Sequence, residues 1–363
     1  MRWHEEKIPA LIFAEGEFGK IDGKTANGLV RFSEKYEIIG VLDSTNERAF
    51  ASEVFEDVEK RIPIFDDLEE ALKNLEKKPK AIINGIARDG GAFPYEHKET
   101  FIKAMENGMD LVHGCHDHIS EDEEFSKVME KNDVEIWDVR KEPEDPHFFT
   151  GKLRDIEFPL RILVSGTDCA IGKRTFCIEL YKELEDRGYN PAFVATGQTG
   201  MIQGAEYGFP LDGIRGDFLS GEAEHVAWKA STENDHDVVI IEGQACIAHP
   251  QGGNPLALMK GVHPHGVVLI HAPGREKKDG LPSEFGPPDL DEEKETVEFF
   301  YPDSVIAIGI NHEGGIDVNN WIEKYEEKYG LPTEDALLGR PTKTADRIEK
   351  EIIKRKEDRD QDG

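Results

Sequence analysis

The sequence predicts an α/β protein with two parallel-sheet domains, an N-terminal Rossmann-like sheet followed by a doubly wound sheet of the P-loop NTPase type. Three observations lead there. Short apolar runs alternate with amphipathic stretches along the chain, the rhythm of strands joined through crossover helices. A length of 363 residues suggests two cores rather than one. At mid-chain, Arg161–Thr175 reads RILVSGTDCAIGKRT, which is an apolar strand, a glycine-bounded loop and the start of a helix.

In the first half, Pro9–Ala14 reads as a strand, Glu15–Gly19 as a turn and Lys24–Phe32 as a helix. A second strand, Glu37–Leu42, ends at Asp43. Dinucleotide-binding folds hold a ribose with an acid at that position, and a turn-capping aspartate fits it equally, so Asp43 is a candidate substrate contact with a structural alternative. There is no G-x-G-x-x-G, only Gly16-x-x-Gly19. Helix Asp66–Leu75, strand Lys80–Asn84, loop Gly85–Pro94, helix Lys98–Asn107, strand Asp110–His113, helix Glu121–Lys131 and strand Val134–Val139 complete this half. Ligands of open α/β sheets sit at the strands' carboxyl ends. The end of the Asp110–His113 strand opens HGCHDH, whose spacing matches no structural zinc pattern. A polar substrate loop with His116 or Asp117 facing a pocket is the preferred reading over a metal site. Lys141–Lys152 (KEPEDPHFFTGK) has two prolines, charge and no periodicity. The expected division is therefore 1–141, a linker at 142–153, a P-loop domain at 154–342, and a C-terminal helix and acidic tail at 343–363.

The second half begins at the glycine-bounded loop. Such a loop turns backbone N–H groups inward, and the helix N-terminus behind it adds partial positive charge, so together they cradle phosphates. The candidate contacts are Gly166, Thr167, Asp168, Ala170, Gly172, Lys173, Arg174 and Thr175. Five residues separate the glycines where a standard P-loop has four. Arg174 takes the place of the magnesium-binding hydroxyl, and Thr175 lies about 100° further round the helix. Phosphate binding is expected, with Mg²⁺ at Thr175 and Glu242 as an open alternative.

Helix Lys173–Arg187 and strand Ala192–Ala195 follow, and the strand ends in a loop, Thr196–Gly200, where Gln198 and Thr199 can hydrogen-bond a ligand. Gly213–Asp217 introduces a helix to Lys229. Strand Asp237–Ile241 ends at Glu242, an acid beside the phosphate loop and a candidate catalytic group. His249, in the Gly-rich stretch Ala248–Gly253 before helix Asn254–Lys260, is a candidate base or phosphate contact. Strand Gly266–Ile270 leads to His271-Ala-Pro-Gly-Arg275, helix Asp291–Phe300 follows, and strand Ser304–Ile310 ends at Asn311, where doubly wound sheets contact a base or ribose. Trp321–Tyr329 and Ala345–Lys356 read as helices and Glu357–Gly363 as a frayed tail.

Composition narrows the function. There are 75 acidic and 44 basic residues, for a net charge of −31. That argues against nucleic-acid or anionic-membrane binding, both of which need basic surface, and suggests a salt-adapted protein. No apolar run approaches membrane-spanning length, and MRWHEEKIPA lacks a signal peptide's apolar core, so a cytoplasmic protein is expected. Four cysteines without framework spacing suggest reduced thiols.

GTDCAIGKRT and DVVIIEGQ resemble the phosphate loop and second-strand acid motif of dethiobiotin synthetase and its dimer-forming P-loop relatives, which implies a homo-oligomer. A closer resemblance spans nearly the whole chain. AEGEFGKIDGKTANGL, NGIARDGGAFP, GTDCAIGKRT, ATGQTGMIQGAEYG, RGDFLSGEAEH and IEGQACIAHPQG together look like a two-domain family, Rossmann-like then P-loop, long known only as of unknown function. Its characterised members are D-glutamate N-acetyltransferases. The resemblance implies transfer of an acetyl group from acetyl-CoA to a small amino acid. Gly166–Thr175 would grip cofactor phosphates, and Gln198, Glu242 and His249 would act in the site. The sequence departs from the family pattern at Arg174, at Ala245–Ile247 and in HGCHDHIS. Two other classes stay open, an ATP/Mg-dependent carboxylate-activating ligase or kinase and a nucleotide-gated switch.

Overall fold

The computed structural model describes residues 6–250 and 253–362. The chain forms two compact units, one comprising the residues up to Glu142 together with Gln198–Ala205, the other Pro143–Gly197 with Glu206 onward.

In the first unit the elements run β1 (Ile8–Phe13), α1 (Lys24–Arg31), β2 (Tyr36–Leu42), β3 (Ile64–Phe65), α2 (Leu68–Asn74), β4 (Ala81–Asn84), α3 (Lys98–Glu106), β5 (Asp110–His113), α4 (Glu123–Asn132) and β6 (Ile136–Asp138). Six parallel strands lie in the order β3-β2-β1-β4-β5-β6. This is the Rossmann order, with its switch point between β1 and β4. Successive strand residues point to opposite faces. Leu11, Phe13, Ile82 and Leu111 accordingly join one core with Phe101, while Ala10, Ile12, Ile83 and Val112 join another with Leu29 and Val30. Aspartates start the helices: Asp67 accepts from Glu70 N ahead of α2, and Asp122 from Glu124 N and Phe125 N ahead of α4.

Beyond Glu142 the elements run β7 (Leu160–Gly166), α5 (Lys173–Asp186), β8 (Pro191–Ala195), α6 (Gln198–Gln203), β9 (Tyr207–Gly208), α7 (Leu219–Thr232), β10 (Val238–Glu242), α8 (Gly253–Val262), β11 (Gly266–His271), α9 (Leu290–Phe300), β12 (Val305–Ile310), α10 (Val318–Tyr329), β13 (Thr333–Asp335) and α11 (Thr342–Asp362), and all of these but α6 belong to the second unit. Its seven parallel strands run β13-β12-β11-β7-β10-β8-β9. The central strands β7, β10 and β11 are buried throughout, as uninterrupted apolar runs such as Val238–Ile241 require. Because β7 lies between β10 and β11, the phosphate-loop strand has Glu242 on one flank and His271 on the other.

One fastening explains how β7 enters the sheet. Arg161 is buried, and its guanidinium donates to the carbonyls of Leu153, Ile156, Val262 and His263 at 2.7–3.2 Å. Burial lowers its pKa to about 10. The stretch before it lies along α7. Glu222 accepts from both nitrogens of His147, main-chain and Nδ1, and Glu224 accepts from Thr150 N and Oγ1 at 2.7 and 2.8 Å.

Three expectations from the sequence change. Thr196–Gly200 is not all loop: Gln198–Gln203 is the helix α6, which belongs to the first unit, where Ile202 joins Ile12 and Leu29 and Gln203 Nε2 donates to Gly28 O and Phe32 O at 2.9 Å. The final segment is not frayed, since α11 runs to Asp362 and docks through Asp346 and Glu349 on Arg187. The short strands β3, β9 and β13, two or three residues each, were not foreseen. All four cysteines are free thiols. No helix among the described residues is long and apolar enough to cross a membrane.

Candidate active site

The carboxyl ends of β7, β10, β8, β11 and β12 gather the second unit's functional residues. At the end of β7 the chain turns through Thr167–Ile171 into α5. Gly172 caps α5 at φ +96°, a left-handed conformation that suits glycine, and a Cβ there would lie 2.3 Å from Leu337 Cδ2. With hydrogen in place of a side chain, Gly172 supplies no cap to the first amides of α5, the groups that bind anions at a helix N-terminus. Ala170 also takes a positive φ, +51°, at the exposed tip.

Lys173 folds back inside the loop and donates from Nζ to Asp168 O. It is buried, and desolvation lowers its pKa against the opposing pull of Cys169, Cys246, Asp168 and Glu242. Asp168, with no exposed surface, is the loop's internal anchor. Its carboxylate accepts from Cys169 N at 2.8 Å, from Asp279 N at 2.9 and 3.1 Å, and from Arg275 Nη1 at 2.9 Å. Thr167 Oγ1 pairs with His271 Nδ1 at 2.9 Å, and burial lowers the His271 pKa to about 4, so this imidazole is neutral at physiological pH.

Glu242 lies beside the loop, in register with Val164 of β7. It is buried, and Oε2 accepts from the N–H groups of Thr196 and Gly197 at 3.2 and 3.3 Å. Desolvation raises its pKa; Arg174, these two amides and Lys173 pull the other way. Its position is fixed from behind, since Thr196 Oγ1 donates to Glu242 O at 2.7 Å and accepts from Gln244 Nε2 at 2.8 Å. A Cβ on Gly197 would come within 3.2 Å of Gln244 Nε2 and 3.8 Å of both Glu242 oxygens, so glycine permits this close approach.

Around this centre, His249 Nε2 meets Asp279 O at 3.2 Å. The loop that carries His249 is held by buried Glu293, which accepts from Ile247 N and Ala248 N at 2.9 and 3.1 Å. Asn311 is buried at the end of β12, accepts from Glu313 N at 2.7 Å, and its Nδ2 lies 4.0 Å from where a Gly172 Cβ would be. Thus Gly166–Thr175, Glu242, His249 and Asn311 share one end of one sheet. The sequence reading passed over Thr196, Gln244, Arg275 and Asp279 as site residues. Arg275 was the most findable, because it follows the Ala-Pro-Gly turn at the end of β11.

The other four candidates, Asp43, His116, Gln198 and Thr199, lie in the first unit. Asp43 is buried, and its carboxylate accepts from Gly16 N, Phe18 N, Thr45 N and Thr45 Oγ1 at 2.8–3.3 Å, which fastens the turn after β1. These bonds are those of the turn-capping alternative. Gln198 Oε1 accepts from Arg140 Nη2 at 3.1 Å, and Thr199 Oγ1 pairs with Thr25 Oγ1 at 3.0 Å. His116 packs against Gly91, where a Cβ would lie 2.5 Å from His116 Cδ2 and 2.7 Å from Arg140 Nη1. His116, Arg140 and Gln198 therefore cluster, apart from Asp43. His113 is sealed in the core, its Nε2 2.6 Å from Asp138 Oδ1 and its Nδ1 accepting from Cys115 N. Among the described residues no group of three or more His, Cys, Asp and Glu side chains is arranged to hold a metal ion.

Comparison with known proteins adds the following. A family model described as a P-loop domain of unknown function (DUF1611_C) matches residues 147–343, and its companion, a Rossmann-like domain of unknown function (DUF1611_N), matches residues 45–142. A protein from Tritonibacter scottomollicae named D-glutamate N-acetyltransferase is 30% identical over 265 residues, covering 70% of this chain and 77% of that protein. A protein of the same name from Pseudoalteromonas sp is 31% identical over 265 residues, covering 71% and 78%. The crystal structure of a DUF1611 family protein from Anabaena variabilis superposes with a TM-score of 0.85 at 29% identity, over 95% of this chain and 100% of that one.

Proposed function

Because the chain belongs to the DUF1611 family, we propose that it is an N-acetyltransferase that moves an acetyl group from acetyl-CoA to the amino group of a small amino acid of the D-glutamate type. The names of the two relatives support the reaction class. The observation that carries the role of the phosphate loop is the pair of cations, Lys173 and Arg174, whose charges both act on buried Glu242. The residues fit an anionic cofactor, with uncapped amides at the start of α5, the Lys173 amine folded into the loop, and an arginine where an ATPase has its magnesium hydroxyl. In this reading Lys173, Arg174 and the loop amides hold the phosphates of acetyl-CoA, which supplies the activated acetyl group.

The substrate arrives as an ammonium ion and must lose a proton before nitrogen can attack. Glu242 takes that proton, its raised pKa bringing it nearer to working pH than an ordinary carboxylate. Nitrogen would then bond to the thioester carbonyl carbon as the C–S bond breaks, and the proton that this nitrogen loses in becoming an amide would pass to the leaving thiolate, giving free coenzyme A. His249 is proposed as a further participant, and Asn311 as a cofactor contact. A second reading has its own support: an acid beside a phosphate loop, Glu242 in register with Val164, also suits an ATP-dependent ligase with Mg²⁺ at Thr175 and Glu242.

The test is to incubate the protein with D-glutamate and either acetyl-CoA or Mg-ATP, following free thiol and phosphate. Thiol release that needs D-glutamate, without phosphate, is the expected result. Substrate-dependent phosphate release would favour the ligase instead, and slow substrate-independent release a nucleotide switch.

A further inference from the structure

The connection between β11 and α9, residues 272–289, reaches the phosphate loop through one charge pair, a fully buried aspartate with a partly buried arginine. Asp168 sits inside the loop with no exposed surface, an anion built into a proposed anion site. Alone it would repel phosphate and would be costly to bury. Besides Lys173 within the loop, a compensating charge reaches it from outside. Arg275 Nη1 donates to Asp168 Oδ2 at 2.9 Å and to Cys169 O at 2.8 Å, so one nitrogen grips both the carboxylate and the loop's backbone. Its Nη2 is tied to Glu313 at 2.6 Å, which fixes the guanidinium's orientation. Four residues on, Asp279 N donates to both Asp168 oxygens, and Asp279 O meets His249 Nε2 at 3.2 Å. On its other side Asp168 offers its own carbonyl to Lys173 Nζ. The 272–289 connection is thus joined to the phosphate loop at Asp168 and to the His249 loop at Asp279.

We propose that Arg275 is a positioning residue for the phosphate loop: through Asp168 it cancels the loop's internal negative charge and holds the backbone at Cys169 in the shape that receives a phosphate ligand. This rests on the reading of that loop as a phosphate site. Arg275 acts through Asp168 and need not touch the ligand. Removing its charge leaves a buried carboxylate uncompensated next to the ligand's phosphates, while removing both charges together leaves neither the repulsion nor the orphaned ion.

The experiment is a double-substitution cycle on the full chain, with calorimetric Kd values for coenzyme A and for pyrophosphate, and thermal melts to confirm folding. Arg275→Ala is expected to weaken both ligands by about tenfold or more, the scale set by stranding one member of a buried charge pair. Arg275→Ala with Asp168→Asn is expected to recover affinity to within about threefold of wild type, because the pair acts as one coupled unit. Arg275→Lys keeps the charge without the two-pronged geometry and should fall between wild type and alanine. A merely structural arginine would not be rescued by removing the opposing charge. Wild-type Kd values in Arg275→Ala, or no recovery in the double variant, overturn the inference while leaving the phosphate site intact. Failure of the wild-type protein to bind either ligand overturns the reading of the loop, and this inference with it.

Discussion

Glu242 and Lys173 are each driven by burial toward their neutral forms, and each charge favours ionisation of the other. That opposition makes Glu242 testable by pH. Its raised pKa means that kcat/KM should climb through a pH range above that of an ordinary carboxylate, as the base ionises. Glu242→Gln should lower kcat about 10²–10⁴-fold and abolish that rising limb. Stability should move the other way. A carboxyl whose folded pKa is raised contributes stability at low pH that is lost as pH rises through that pKa, so at neutral pH the glutamine variant should melt higher than wild type. Equal melting temperatures with an unchanged pH profile would remove Glu242 from the proposed role. Lys173→Ala should weaken coenzyme A binding by about 30-fold or more, the scale of a lost charge-assisted contact, with the fold intact by circular dichroism. Unchanged affinity by calorimetry would contradict the phosphate assignment. Both residues could be named from the sequence, because an acid at a strand's carboxyl end and a lysine that opens the helix behind a glycine-bounded loop carry their context with them. Arg275 and Asp279 were not, because their meaning depends on reaching Asp168 across more than a hundred positions of chain.

Long, strongly patterned elements were readable and short ones were not. Strands β7, β10 and β11 declare themselves as apolar runs ending in Gly166, Glu242 and His271. β3, β9 and β13 have two or three residues each, too few for any periodicity, and they form because a neighbouring strand offers an edge. α6 was hidden by its glycines. Gly197 makes room for Glu242, and Gly200 is buried within a helix secured by Ile202 and Gln203. The start of β7 yields a prediction of its own. Arg161 satisfies carbonyls at Leu153, Ile156, Val262 and His263. Arg161→Met should destabilise the second unit by about 3–5 kcal/mol in urea unfolding, because those buried acceptors lose their donor. A loss below about 1 kcal/mol would show that the carbonyls find other partners.

At the scale of the whole molecule, the fold order follows from alternation of strands and helices, while the assignment of residues to units does not. Gln198–Ala205 belongs to the first unit although β8 and β9, on either side of it, belong to the second. The net charge of −31 sets the behaviour in salt. Self-repulsion at that charge is screened within about 3 Å at 1 M ionic strength against about 10 Å at 0.1 M, so the melting temperature should rise from dilute buffer to molar KCl. A flat response would remove salt adaptation from the account. Acetyl transfer changes the mass of the amino acid, so mass spectrometry reads it without a coupled assay. After incubation with D-glutamate and acetyl-CoA, the expected result is an N-acetylated product in amounts equal to the free thiol released, formed by the wild-type protein and lost in Lys173→Ala and Glu242→Gln. An unmodified amino acid beside intact acetyl-CoA, or acetylation undiminished in both variants, would contradict it.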